Sequence, residues 1–142
     1  MEKLSAGMVI FRHENRGRLY LLLRAYRNWD FPKGEVEESE DPFDTARREV
    51  REETGITDLY FPRGRIFKET EPYRNGRKVA RYYLAETTET EVRFSINPEI
   101  GRPEHHEYRW LNAAGARALA PPRLQSILTW AETQLRGLTR VT

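Results

Sequence analysis

The sequence predicts an α/β sandwich, with a mixed β-sheet held between helices. Two β-rich apolar runs open the chain, a capped amphipathic helix follows a Pro/Gly loop, and a helix with one apolar stripe closes it after a proline pair. At 142 residues, with 38% hydrophobic and 32% charged content, the chain suits one domain over residues 1–142 and is too short for two.

The elements follow in order. Residues 5–11 are small and β-branched, and after a turn at Asn15 to Gly17 the run at residues 19–23 reads as a second, buried strand. Residues 28–34 read as a loop punctuated by Pro32 and Gly34. Asp41 then offers an N-cap with Pro42 at the first helical position, so a helix is expected over residues 42–54, ended by Gly55. Further strands are expected at residues 65–70, at 78–85 after the Asn75-Gly76 turn, and at 108–111. In the last part Leu124, Ile127, Leu128, Ala131 and Leu135 fall on one helical face, beginning just after Pro121-Pro122.

Composition removes several chemistries. There is no cysteine, so disulfides, thiolate metal sites and a Cys nucleophile are excluded, and a metal would have to sit on oxygen or imidazole. No run of about 18 apolar residues is present and the N-terminus lacks a signal-like stretch, so no membrane association and a cytoplasmic location are expected. The net charge of +2 is uneven: between Glu35 and Glu53 nine acidic residues face three arginines, a local charge of −6. A basic body with one acidic stripe suits a polyanion bound with divalent cations, although a solvated acidic helix would give the same charge count.

On a helical wheel Phe43, Ala46 and Val50 cluster on one face, and Glu49, Glu52 and Glu53 share an adjoining arc. Like charges at these spacings oppose helix formation by about 0.2–0.5 kcal/mol per pair, so a compensating charge is expected. Arg48 is in position to pair with Glu52 as part of a surface salt bridge. Converging carboxylate oxygens also suit a hard divalent cation.

Read with its leading loop, the stretch runs Gly34, five residues, Glu40, seven residues, Arg48-Glu49-Val50, one residue, Glu52-Glu53, one residue, Gly55-Ile56. This 23-residue pattern resembles the Nudix box of the Nudix hydrolases, with every defined position filled. The resemblance implies a Nudix α/β/α sandwich and hydrolysis of a nucleoside diphosphate linked to another moiety, with Mg²⁺ (or Mn²⁺) as cofactor. It implies that Glu49, Glu52 and Glu53 bind the metal, that the Gly34 carbonyl completes the coordination, and that Arg48 orients a box carboxylate. Such metals neutralise a polyphosphate, position it and make hydroxide available near neutral pH. Glu40 reads as holding the loop to the helix.

Outside the box, Trp29 to Gly34, the strand Arg81 to Glu86 and the run Glu104 to Trp110 resemble the asymmetrically cleaving diadenosine tetraphosphate hydrolases. That resemblance implies ATP and AMP as products, catalytic roles for Arg48, Glu52 and Glu104, with Glu104 as further metal ligand or general base, and substrate contacts from Lys33 and Tyr82. RNA 5′-pyrophosphohydrolases share a related loop and an acidic residue before a Trp, so an RNA 5′ end is the one nucleic-acid substrate envisaged; a diphosphoinositol polyphosphate is a further alternative, and a nucleotide sensor without turnover lies outside the enzyme class. A monomer is expected. Tyr82 and Tyr83 must face opposite sides of their strand, so Tyr82 is read as a base-stacking surface or a buried tyrosine. His105 and His106 read as metal ligands or hydrogen-bonding loop residues, Trp110 as core, and the basic stretch Arg63 to Arg81 as a solvated hairpin or a phosphate-steering surface.

Overall fold

Strand β1 (Lys3–Glu14) is the spine of the computed structural model, which describes residues 3–138. One edge of β1 pairs in parallel with β6 (Lys78–Glu86) along nearly its whole length, from Lys3 against Lys78 to Phe11 against Glu86. Its other edge is shared: β2 (Gly17–Ala25) pairs antiparallel with Phe11 to Glu14, and β4 (Lys33–Glu35) pairs antiparallel with Ser5 to Gly7. Strand β3 (Asn28–Asp30) pairs with the end of β2, β5 (Phe67–Glu69) flanks β6, and β9 (Glu107–Leu111) runs along the far side of β2.

Alternation along β1 assigns the two faces. Ala6, Met8 and Ile10 pack with Leu21, Leu23 and Tyr83 under Phe43, Ala46 and Val50 of helix α1 (Pro42–Thr54). Val9 and Phe11 pack on the opposite side with Tyr20, Leu22 and Tyr82, beneath α2 (Ala113–Leu119), a 3₁₀ turn (Pro122–Leu124) and α3 (Gln125–Leu135). The α/β sandwich is therefore as expected: a mixed sheet with α1 on one face and the C-terminal helices on the other. Tyr82 and Tyr83 do face opposite sides, and the whole expected stripe from Leu124 to Leu135 is buried. No helix among the described residues is long and apolar enough to cross a membrane.

Helix α1 has the bounds its caps dictate. The Asp41 carboxylate accepts the Phe43 N–H at 2.8 Å, Pro42 needs no donor partner, and Gly55 at φ 77° sends its N–H back to the Arg51 carbonyl at 2.9 Å. Three regions depart from expectation. The segment 28–34, expected as a loop, forms β3 and the start of β4, because the half-open edges of β1 and β2 offer backbone partners that local sequence does not reveal. Helix α2 is not marked in the sequence; it is short, contains Gly115, and is held by the Asn112 side chain accepting the Gly115 N–H at 2.8 Å. A small hairpin, β7 (Ile96–Asn97) with β8 (Arg102–Pro103), also went unforeseen, since two-residue strands carry no periodicity.

Gly7 joins the spine to the loop that precedes α1. It lies opposite Lys33 in the register, and a Cβ there would fall on the Pro32 carbonyl oxygen and the Lys33 side chain. Because the obstacle is backbone, Gly7→Ala should cost about 1–3 kcal/mol of stability by denaturant unfolding, as overpacking does; a wild-type midpoint would show that the strand pair adjusts freely.

Candidate active site

Helix α1 turns Glu49, Glu52 and Glu53 toward a cavity of about 760 Å³ that Lys33, Gly34 and Arg48 also line. The opposite wall comes from Glu104, His105 and residues 94–99, which lead into the β7–β8 hairpin. Sequence positions 33–34, 48–53 and 104–105 are thus brought to one place by the fold. The basic stretch 63–81 does not line the cavity: the Arg65 guanidinium lies 4.2 Å from the Phe43 ring centre, and Arg81 lies over Phe67 and bonds to Glu69 at 2.9 Å.

Arg48 organises the outer carboxylates. Its Nε and Nη2 bond to both Glu40 oxygens at 2.8 and 3.1 Å, while Nη1 reaches Glu49 at 3.0 Å and Glu52 at 3.1 Å. Glu40 also accepts the Glu37 N–H, so it ties loop to helix. The Arg48 hydrogen bonds hold the Glu40 carboxyl down to about 2. Arg48 therefore supplies the positive charge that the repelling glutamates require.

Glu53 sits apart from that network. Its carboxylate is only 7% exposed and neither oxygen has a hydrogen-bond partner. Burial first, then the adjoining Glu49 carboxyl and the Glu104 charge, push its pKa well above the carboxylate range, with Lys33 opposing. His105 Nδ1 lies 3.7 Å from Glu53 Oε1, but burial depresses the imidazole to about 4, so near neutral pH it carries no charge to offset Glu53. His106 instead accepts the Tyr26 backbone N–H at 2.9 Å. The sequence did not separate these two histidines.

Gly34 makes room for Glu49. A Cβ at Gly34 would coincide with the Glu49 carboxylate, so the box glycine is a cradle for that side chain against the β4 backbone. Among the described residues no three His, Asp or Glu side chains stand gathered for a metal ion, and Arg48 bonds to both Glu49 and Glu52. The donor set still fits a hard divalent cation: two orphaned oxygens of Glu53 face a cavity lined by Glu49, Glu52, Glu104 and the cradle glycine, all oxygen donors.

Two expected residues fare differently. Lys33 lines the cavity and its Nζ lies 3.6 Å from Asp30. Tyr82 is completely buried, with its hydroxyl donating to Asp30 at 2.8 Å, so the base-stacking reading is corrected: it has no free face to offer a base. Trp110 is half-buried and packs against the core on the α1 side of the sheet, its indole N–H bonded to the Thr90 carbonyl at 2.8 Å. Sequence reasoning also missed Asp30 and Arg123, which meet at 2.6 Å across 93 positions; the Trp-Asp pair before Phe31 was the only visible signal, and nothing marked Arg123.

This fold and site define a class. The NUDIX domain family matches residues 1–131, and the chain belongs to the Nudix family of hydrolases as a pyrophosphohydrolase. Within that family it is 34% identical over 127 residues to the mouse (Mus musculus) bis(5′-nucleosyl)-tetraphosphatase [asymmetrical], covering 82% of this chain and 83% of that one. A Bartonella henselae RNA pyrophosphohydrolase is 38% identical over 63 residues, 39% of this chain and 36% of its own. Among solved structures, a C. elegans Ap4A hydrolase binary complex superposes with a TM-score of 0.83 at 28% identity, covering 96% and 99% of the two chains.

The orphaned Glu53 carboxylate yields a sign that is testable. Because its folded-state pKa is raised, ionising it weakens the folded state as pH rises above the ordinary carboxylate range. In chelator at pH 8, Glu53→Gln should therefore raise the thermal midpoint, by differential scanning calorimetry. A lowered midpoint would mean that the charge is stabilised by groups other than a cation.

Proposed function

We propose that this chain hydrolyses dinucleoside polyphosphates, diadenosine tetraphosphate to ATP and AMP, using Mg²⁺ or Mn²⁺. The observation that carries the reading is the likeness to an asymmetrical tetraphosphatase over 82% of the chain, in a chain whose box glutamates line one cavity. Likeness to RNA pyrophosphohydrolases, over 39% of the chain at 38% identity and over 75% of it at 26% identity, gives the second reading, removal of pyrophosphate from an RNA 5′ end. A sensor without turnover is disfavoured, since a pure binder gains little from burying Glu53 among other carboxylates.

In this reading Glu49, Glu52 and Glu53 would hold the cation, with the Gly34 carbonyl beside them. The cation, when bound, neutralises phosphate charge and acidifies the attacking water. Arg48 fixes where the Glu49 and Glu52 carboxylates point. Lys33, next to Gly34 in the cavity lining, meets the phosphate chain. Glu104, exposed on the cavity wall, accepts the proton of the water as its oxygen bonds to phosphorus and the bridging oxygen leaves on the departing nucleotide.

Product analysis in ¹⁸O-labelled water with Mg²⁺ tests this directly. Diadenosine tetraphosphate should give ATP and AMP; two ADP, or much faster consumption of 5′-triphosphorylated RNA, would overturn the reading. Glu104→Gln should lower kcat by about 10²- to 10⁴-fold and leave KM nearly unchanged, as loss of a proton acceptor does. An effect confined to KM would make Glu104 a binding residue.

A further inference from the structure

Asp30 gathers two cations and two neutral donors. Its Oδ1 accepts the Tyr82 hydroxyl at 2.8 Å and the Phe31 N–H at 2.7 Å, while its Oδ2 lies 2.6 Å from Arg123 Nη2 and 3.6 Å from Lys33 Nζ. The Asp30 side chain is 14% exposed, so these charges act on one another with little screening by water. Arg123 is the closer cation, and its guanidinium rests 4.9 Å from the Tyr73 ring centre. It is carried by the 3₁₀ turn between Pro122 and the fully buried Leu124, which anchors that turn.

We propose that Arg123 is a charge-balancing positioning residue: by neutralising Asp30 it leaves the Lys33 charge free to attract a polyphosphate in the carboxylate cavity. Asp30 on its own would orient Lys33 and also cancel it. With Arg123 present the trio carries one net positive charge, and only Lys33 of the three lines the cavity. The C-terminal layer of the sandwich, which contributes no residue to the cavity lining, thereby sets the charge that a ligand meets there. The inference rests on reading the cavity as a polyphosphate site; it adds Arg123, which neither the box nor the surrounding motifs contain, and gives Asp30 of the Trp29 to Gly34 motif a role.

A purely structural latch makes a different prediction from a charge balance. If Arg123 only pinned the 3₁₀ turn to the β3–β4 segment, Asp30→Asn alone would break the same latch and weaken binding as Arg123→Gln does. If it balances charge, removing the carboxylate should repair the loss of the guanidinium. The probe is inorganic tripolyphosphate with Mg²⁺, titrated calorimetrically into the whole protein. Arg123→Gln should weaken binding by about tenfold, as should Lys33→Gln, and the Asp30→Asn/Arg123→Gln double variant should return to within about threefold of wild type. Asp30→Asn alone, which keeps Arg123, should bind at least as tightly as wild type, and this holds the test open even if Arg123→Gln does not fold. A double variant no tighter than Arg123→Gln, weaker binding by Asp30→Asn, or no tripolyphosphate binding by wild type would each overturn the inference. Failure to release ATP and AMP from diadenosine tetraphosphate would instead overturn the proposed function and leave these affinities standing.

Discussion

The structure turns on a carboxylate that should not be where it is. Glu53 is buried, has no hydrogen-bond partner, and has other carboxylates for neighbours. Such a group costs stability unless a proton or a cation neutralises it. Arg48 cannot be that cation, because it is committed to Glu40, Glu49 and Glu52. Lys33 lowers the cost without bonding to Glu53, and His105 is held neutral by burial. What remains is a proton, or a positive charge from outside the chain, and the second is the chemical ground on which a divalent cation is proposed here.

The rest of the fold serves to hold that carboxylate in place. Helix α1 is fixed at both ends by Asp41 and Gly55, and Phe43, Ala46 and Val50 press one side of it into the sheet, which leaves the glutamates on the side that meets β4. Strand β4 is brought there by pairing with Ser5 to Gly7 of β1, and two glycines permit the close approach: Gly7 lets the Pro32–Lys33 backbone cross the spine, and Gly34 leaves space for the Glu49 carboxylate. Packing and chemistry meet at these two positions. The first glycine is a matter of stability, whereas the second is a matter of where a ligand carboxylate points.

The local signals in the sequence were strong where one element decided its own structure. Helix α1 has the residues, caps and bounds that Asp41, Pro42 and Gly55 announce, and the C-terminal stripe from Leu124 to Leu135 is buried throughout. The glutamates, Arg48, Lys33 and Glu104 were all legible because their spacing or neighbours marked them, and the fold gathers them around one cavity. Long-range pairing was not legible. Residues 28–34 become strands only because β1 and β2 leave edges free, and Tyr82 is sealed from solvent by the layer that brings Arg123 to Asp30, 93 positions away. The difference between His105 and His106, one buried beside Glu53 and the other capping the Tyr26 turn, depends likewise on tertiary placement.

The central claim is that Glu53 is buried in order to be met by a divalent cation. Electron paramagnetic resonance of free Mn²⁺, titrated into the wild-type chain and into Glu53→Gln at neutral pH, measures this directly, because only unbound Mn²⁺ gives the sharp six-line signal. The account predicts saturable Mn²⁺ binding by wild type and an affinity at least about tenfold weaker in Glu53→Gln, the scale of change seen when metal sites lose supporting groups. Equal Mn²⁺ affinity in the two proteins would contradict it.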